Sequence, residues 1–373
     1  MPKNKHLLAL NELGQSIWYD NCSRDVLNSG ELASYIAAGV SGLTSNPSIF
    51  KAAIAGSSDY DAAIKELSAQ ALGTEKVCEE LMVRDVQAAS DLLNEIYQST
   101  DAGDGFASIE VSPFLASDTG QTIEAAKALW AKLDRANGMI KIPATKAGIP
   151  AIQAVLEAGI NVNATLIFSV QAYEGVANAY ISALETRMAK GQDIKGIASV
   201  ASFFVSRVDS ICEKTFTKLL GGGSVKEGDQ TVFLGKVGIA NSKLAYEKYE
   251  ELFGGERFKK LAEKGARVQR PLWASTGTKN PAFSPILYVE ELAGKDTVNT
   301  LPPKTLKTLM EHATVEPRLH AGLAEAKDTI SGINSLGLPF DALLVQLEEE
   351  GVKAFADAYQ QLLDALEGKC NCL

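Results

Sequence analysis

Met139-Ile140-Lys141-Ile142-Pro143-Ala144 is apolar at every position but one. A run this short and apolar, closing on a proline, reads as a buried strand. Lysine is almost never fully buried unless it is paired or used. Burial disfavours the ammonium form, so a lysine here is expected to have a lowered pKa and a free, nucleophilic amine. A lowering to about 7–8 asks the surroundings for roughly 3–5 kcal/mol against the cation. A lysine at a strand end that snorkels to solvent or forms a salt bridge fits the same run. The choice rests on what the other strands carry.

Working outward, short apolar or β-branched runs recur at 16–20, 42–46, 107–112, 139–143, 159–165, 197–205, 268–275 and 296–301. Amphipathic helices separate them. Met82, Val86, Ala89, Leu93 and Ile96, for example, follow the spacing of one buried helical stripe. Eightfold alternation of strand and helix predicts an α/β fold, a (β/α)8 TIM barrel. An open doubly wound sheet is the alternative, but no Gly-x-Gly-x-x-Gly follows the first strand. Gly221-Gly222-Gly223 follows a helical stretch and reads as a flexible loop or helix stop. The gaps after the second and sixth strands have room for two helices each.

The chain is expected to form a single unit over 1–373, with barrel strands within about 16–302 and a C-terminal helical extension over about 303–368. In that extension Asp341 is expected to cap a helix whose Val345, Val352, Phe355, Tyr359, Leu362 and Leu366 share one face. Glu348-Glu349-Glu350 reads as its solvated side.

With 46% hydrophobic and 22% charged residues, the chain can bury a large core. A formal charge of -10 argues against a general nucleic-acid binder but leaves room for a small phosphorylated ligand. No signal-like h-region opens the chain and no long apolar span follows, so a cytoplasmic location without membrane contact is expected. Cys22, Cys78, Cys212, Cys370 and Cys372 are odd in number and mostly scattered, which argues against a disulfide framework. Lys369-Cys370-Asn371-Cys372-Leu373 fits a prenylation box only formally, since its middle residues are not aliphatic. His6, His312 and His320 lack metal spacing and obvious nucleophile partners.

Barrel enzymes draw catalytic residues from the C-terminal ends of several strands. Those ends carry Asp20, Thr44 and Asn46, Glu110, Lys141, Asn163 and Thr165, Ser202 and Arg207, and Ser275 with Lys279. Asn161, Asn163 and Thr165 share one parity, so one face of the fifth strand is polar. Taken singly, each has a plainer reading. Asp20 and Thr44-Ser45 serve equally as helix caps, Asn46-Pro47 as a turn, Glu110 as a surface residue, and Arg207 with Asp209 as an ordinary ion pair. Their convergence on one end of the strands is what points to a site.

A lysine amine with two carboxylates implies attack on a ketone, loss of water, and an iminium that acts as an electron sink. One carboxylate can then take the proton of the β-hydroxyl as the carbon–carbon bond breaks, while a second manages water and protons for imine formation. Arg207 suits a terminal phosphate, because its fork matches the phosphate oxygens.

The segments Gly42-Leu43-Thr44-Ser45-Asn46-Pro47-Ser48-Ile49-Phe50, Ile140-Lys141-Ile142-Pro143-Ala144-Thr145, Asn161-Val162-Asn163-Ala164-Thr165-Leu166-Ile167-Phe168-Ser169 and Ser202-Phe203-Phe204-Val205-Ser206-Arg207-Val208-Asp209 closely resemble transaldolases. The likeness extends over nearly the whole chain. Residues 272–281 resemble the longer bacterial and plant-type branch. The resemblance implies a class I aldolase barrel with the Schiff-base lysine on the fourth strand, and no metal or organic cofactor. It implies transfer of a dihydroxyacetone unit from sedoheptulose 7-phosphate to glyceraldehyde 3-phosphate, giving erythrose 4-phosphate and fructose 6-phosphate in the pentose phosphate pathway.

By the same resemblance Lys141 is the nucleophile and Asp20 the acid/base of carbon–carbon cleavage, with Glu110 and Thr165 positioning the catalytic water. Asn46, Asn163 and Ser202 fall to the bound three-carbon unit, Arg207 to the phosphate, and Thr44 and Ser275 to the substrate. Many members carry a second phosphate-binding arginine after the seventh strand. Here Ser275-Thr276-Gly277-Thr278-Lys279 has none, and Lys279 is its stand-in by charge alone. The expected partners are phosphorylated sugars, with the chain a monomer or homodimer. Two alternatives stay open: a fructose 6-phosphate aldolase, which typically uses a tyrosine as acid/base, and a sugar-phosphate-binding barrel without turnover.

Overall fold

The computed structural model describes residues 2–70, 72–223, 225, 226, 228 and 233–372. Eight strands form a closed barrel in chain order: β1 (Gln15–Asp20), β2 (Gly42–Thr44), β3 (Phe106–Glu110), β4 (Gly138–Pro143), β5 (Val162–Ile167), β6 (Ser199–Phe204), β7 (Arg270–Ala274) and β8 (Thr297–Leu301). All neighbours are parallel, and β8 closes onto β1 with Thr300 level with Trp18.

The helices among the described residues are α1 (Lys5–Glu12), α2 (Arg24–Asn28), α3 (Glu31–Ala38), α4 (Pro47–Gly56), α5 (Asp61–Ser68), α6 (Thr74–Ser99), α7 (Thr119–Leu133) and α8 (Gly148–Glu157). They continue with α9 (Val170–Ala189), α10 (Ser206–Gly221), α11 (Val237–Phe253), α12 (Glu256–Ala262), α13 (Leu287–Glu291), α14 (Pro303–Glu311), α15 (Leu323–Ser335) and α16 (Phe340–Cys372). The molecule is a (β/α)8 TIM barrel with added helices. Among the described residues the gaps after β2 and β6 each hold three α-helices, α4–α6 and α10–α12, where two were expected.

Alternation along the strands splits the core in two. Ile17, Leu43, Ile109, Ile140, Ile142, Ala164, Phe203 and Leu301 pack outward against the helix ring. Trp18, Phe106, Met139, Val200, Leu272 and Val298 have the opposite parity and form a separate cluster that fills the barrel. Gly42 is required there: a Cβ on it would lie 2.4 Å from the Trp18 indole. Below this layer, Asp104 accepts from the Trp18 indole and the Ser16 hydroxyl, and Arg270 donates to Ser16, which closes the N-terminal end.

The strand bounds differ from the sequence reading most at β5, which runs on to Ile167. Leu166 adopts a left-handed conformation (φ 58°) and the ladder to β6 shifts register between Ala164 and Ile167, a bulge that apolar patterning does not reveal. Asn161 lies below β5 and does not line a site. Its amide donates to the carbonyls of Ala136 and Gly138 and its oxygen accepts from the Ala198 N–H, tying strand ends together.

In α16, Asp341 sits inside the first turn, while the Pro339 carbonyl accepts from the Leu343 N–H at the helix start. Val345 is 59% exposed, against expectation, and Leu344 and Leu347 take its place on the buried face. The helix crosses back over the barrel, packing along α4 and reaching α5, α6, α10 and β5. Among the described residues no single helix is long and apolar enough to cross a membrane. All five cysteines are free.

Candidate active site

Above the apolar plug the inward positions turn polar: Asp20, Thr44, Ser108, Lys141, Asn163, Ser202 and Thr300. The ladder registers pair Asp20 with Thr44, Glu110 with Lys141, and Lys141 with Asn163, so these side chains share one level of the barrel. A cavity of about 190 Å³ opens there, lined by Asp20, Thr44, Asn46, Lys141, Thr165, Ser202, Arg207, Ser275 and Lys279 among others. Of the eleven residues singled out from the sequence, only Glu110 and Asn163 lie behind this wall. Glu110 is buried against Lys141, which overturns its surface reading. Asn163 is fully buried, donating to the Ser108 hydroxyl at 3.1 Å and accepting from Ser202 at 2.7 Å.

Lys141 is 5% exposed. Its Nζ donates to the Ser45 carbonyl at 3.0 Å, stands 3.4 Å from Glu110 Oε2, and lies 5.6 Å from the centre of the Phe355 ring on α16. Strand-end snorkelling is therefore not its arrangement. Burial pushes the Glu110 carboxyl up from 4.5 to about 7; Lys141 opposes the shift and Asp20 adds to it. Among the described residues Glu110 Oε1 and the Thr165 hydroxyl are buried without a hydrogen-bond partner, while Glu110 Oε2 faces the Lys141 amine. Leaving such groups unmet costs about 1–3 kcal/mol each, so they mark a place built to receive a polar guest.

Asp20 ends β1. Burial raises its pKa, against the charge of Lys141, the Thr44 hydrogen bond and the charge of Lys279. Thr44 donates to Asp20 Oδ1 at 2.7 Å, and its oxygen lies 2.5 Å from the hydroxyl of Thr300. Asn46 caps a helix, where its plainer reading was a turn: Oδ1 accepts from the Ile49 N–H at 3.1 Å, with Pro47 opening α4. That leaves its amide NH2 for the cavity it lines.

Arg207 lies in the first turn of α10 with its guanidinium 5.3 Å from the Phe204 ring centre. Burial lowers its pKa, and Glu350 is the charge that opposes this. It does not pair with Asp209, whose carboxylate instead accepts from the Gly238 N–H at 3.1 Å and the Tyr288 hydroxyl at 2.7 Å. Ser275 follows β7 in a left-handed conformation (φ 55°), strained for a non-glycine residue, and its hydroxyl meets that of Ser206 at 2.9 Å.

Sequence reasoning passed over Ser48, Phe204, Gly277, Thr300, Pro302 and Phe355, which also line the cavity. Thr300 was open to discovery, since it shares the parity of Val298 in an otherwise recognised strand. Phe355 was not, because nothing in a helical stripe marks which residue meets a distant lysine. Among the described residues no group of three or more His, Cys, Asp or Glu is placed to hold a metal ion.

A buried lysine between two carboxyls of raised pKa, with an arginine at the rim, is equipped for imine chemistry on an anionic carbonyl compound. Residues 17–366 match the family described as Transaldolase/Fructose-6-phosphate aldolase. The chain is 46% identical to "Transaldolase 2" of a Nostoc species, over 99% of this chain and 98% of that protein. It is 46% identical to "Transaldolase" of Mycolicibacterium smegmatis, over 100% and 99% respectively. With "Transaldolase 1" of Streptomyces coelicolor it shares 45% identity over 96% and 93%. Fold, strand-end residues and full-length likeness agree, and the chain belongs to the transaldolase/fructose-6-phosphate aldolase family of enzymes.

Proposed function

We propose that this protein is a transaldolase acting through a Schiff base on Lys141. It would transfer a dihydroxyacetone unit from sedoheptulose 7-phosphate to glyceraldehyde 3-phosphate, giving erythrose 4-phosphate and fructose 6-phosphate in the pentose phosphate pathway. The observation that carries the reading is the Lys141 amine, sunk in the barrel at 3.4 Å from a Glu110 carboxyl pushed up to about 7. A carboxyl with that pKa both gives and takes a proton near neutrality.

In this reading the Lys141 amine adds to the donor ketone, and Glu110, with a water held by Thr165, protonates the departing hydroxyl as water leaves. Asp20 then takes the proton of the C4 hydroxyl. The C3–C4 bond breaks, its electron pair passes into the iminium to give an enamine, and the aldose phosphate departs. The enamine adds to the incoming aldehyde, Asp20 returns the proton to the new alkoxide, and water cleaves the imine. Thr44, Asn46, Asn163 and Ser202 hold the three-carbon unit and Ser275 the substrate chain. Arg207 binds the phosphate as a fork, and Lys279 as a point charge close enough to Asp20 to lower its pKa.

Two features favour transfer over release of free dihydroxyacetone. Among the described residues no tyrosine lines the cavity, where the aldolase pattern places its acid/base. Phe355 covers the amine, which keeps water from the enamine and imine until an acceptor arrives. The test is borohydride trapping with fructose 6-phosphate and peptide mass spectrometry, beside turnover with and without erythrose 4-phosphate. A reduced three-carbon adduct on Lys141, lost in Lys141→Ala together with turnover by at least about 10³-fold, is expected. Normal turnover by Lys141→Ala would overturn the mechanism, and free dihydroxyacetone accumulating without acceptor would mark an aldolase.

A further inference from the structure

Thr300, on the strand that closes the barrel, is assigned nothing by the chemistry above. We infer that Thr300 is a positioning residue: its hydroxyl donates to Thr44 and thereby commits the Thr44 proton to Asp20, orienting the carboxylate that serves carbon–carbon cleavage. This rests on the reading of Asp20 as the acid/base.

Proton counting fixes the direction of the chain. A hydroxyl has one proton to donate and two lone pairs to accept with, whereas an ionised carboxylate only accepts. Thr44 Oγ1 has two neighbours within bonding distance, Asp20 Oδ1 at 2.7 Å and Thr300 Oγ1 at 2.5 Å. When Asp20 is a carboxylate, the Thr44 proton must lie on the Asp20 side. Two oxygen lone pairs cannot face each other at 2.5 Å, so Thr300 supplies the proton of the second bond. The chain therefore runs from Thr300 through Thr44 to Asp20 Oδ1, and Oδ2 is left to receive the substrate proton.

The surroundings hold this order in place. Thr44 and Thr300 are 2% and 3% exposed, so bulk water does not compete for either hydroxyl. The Thr300 backbone is level with Trp18 in the β1–β8 ladder. The Thr276 hydroxyl lies 2.9 Å from Asn299 Oδ1 and 3.2 Å from the Thr300 carbonyl, and its one proton goes to either acceptor, pinning the strand end. Thr300 itself lines the cavity, which makes a direct substrate contact the rival reading.

A donor behind Thr44 polarises its hydroxyl and strengthens its bond to the carboxylate by roughly 10–30%. Removing that donor raises the proton affinity of Asp20. The carboxylate needed as base is then lost at a higher pH as the solution is acidified. Thr300→Val keeps the branched shape and the strand preference and deletes only the hydroxyl.

The test is single-turnover release of glyceraldehyde 3-phosphate from the preformed fructose 6-phosphate adduct, followed against pH, which isolates carbon–carbon cleavage from imine formation. Thr300→Val is expected to slow the step about three- to tenfold, with KM for fructose 6-phosphate unchanged and the acid limb moved to higher pH. Thr300→Ser is expected to restore both, and Thr300→Val to add no loss in an Asp20→Asn background. Should Thr300→Val fail to fold, Thr300→Ala gives the same readouts. An unshifted profile, a rise in KM at constant rate, or an added loss in the Asp20→Asn background would overturn the positioning role alone. Full turnover by Asp20→Asn would overturn the Asp20 reading and the relay with it.

Discussion

Lys141 and Glu110 stand level on neighbouring strands, amine 3.4 Å from carboxyl, and still the carboxyl is pushed up to about 7. Burial outweighs the attraction of the partner cation. A pair dominated by desolvation contributes little to holding the fold, and it leaves a proton whose position is easily exchanged.

Glu110→Gln tests that proton. Turnover is expected to fall by roughly 10²-fold, with the lysine adduct still trapped but formed more slowly. Stability carries its own signature. Because the folded-state value lies above the ordinary 4.5, the contribution of protonated Glu110 is complete below about 4.5 and is lost as pH rises through about 7. Unfolding midpoints over that window should decline less in Glu110→Gln than in the parent protein. Parallel curves for the two proteins would contradict the assignment.

Arg207→Ala addresses the phosphate. Losing a charged fork should raise KM for fructose 6-phosphate by about 10- to 100-fold, corresponding to about 1.5–3 kcal/mol. Unphosphorylated fructose should be affected far less. Arg207→Lys should recover only part of the affinity, because a point charge cannot make the paired contact. Equal losses toward phosphorylated and unphosphorylated donors would exclude a phosphate role.

Phe355→Ala uncovers the amine. The ring lies 5.6 Å from Lys141 Nζ, and its loss should admit water to the imine and enamine. The ratio of free dihydroxyacetone to transferred product should rise by about tenfold, while packing loss lowers stability by about 3 kcal/mol. Assaying dihydroxyacetone with and without erythrose 4-phosphate checks this, and an unchanged ratio would mean that the cover lies elsewhere.

Gly42→Ala tests the barrel interior instead of the chemistry. The added methyl would overlap the Trp18 indole, at 2.4 Å, in a closed and packed plug. A loss of about 3 kcal/mol or more is expected, read as a lowered thermal midpoint. A neutral substitution would show that Trp18 has room to turn.

Much of this was legible in the chain. Strands declare themselves through short apolar runs, and barrel parity places Asp20, Lys141, Asn163 and Ser202 on one inner face without any structure. What escaped did so for identifiable reasons. The β5 bulge at Leu166 arises from backbone geometry that side-chain patterning does not encode. Val345 fits the helical stripe and is exposed, because the first turns of α16 bury Phe340, Leu343, Leu344 and Leu347 instead. Phe355 joins Lys141 through the path of a helix across the barrel, a relation between elements far apart in sequence. Asn46-Pro47, read plainly as a turn, instead opens a helix, and Asn46 still faces the cavity.

The Thr44–Thr300 hydrogen bond joins residues 256 positions apart, across the seam where the barrel closes. Contacts of such long range are the slowest to form, since the intervening chain must be ordered before they reward it. A chain with seven strands paired and β8 undocked already holds Lys141 beside Glu110 but lacks the far end of the hydroxyl chain on Asp20. During refolding, amine reactivity should therefore appear before carbon–carbon cleavage. The catalytic step thus serves as a clock for the last strand.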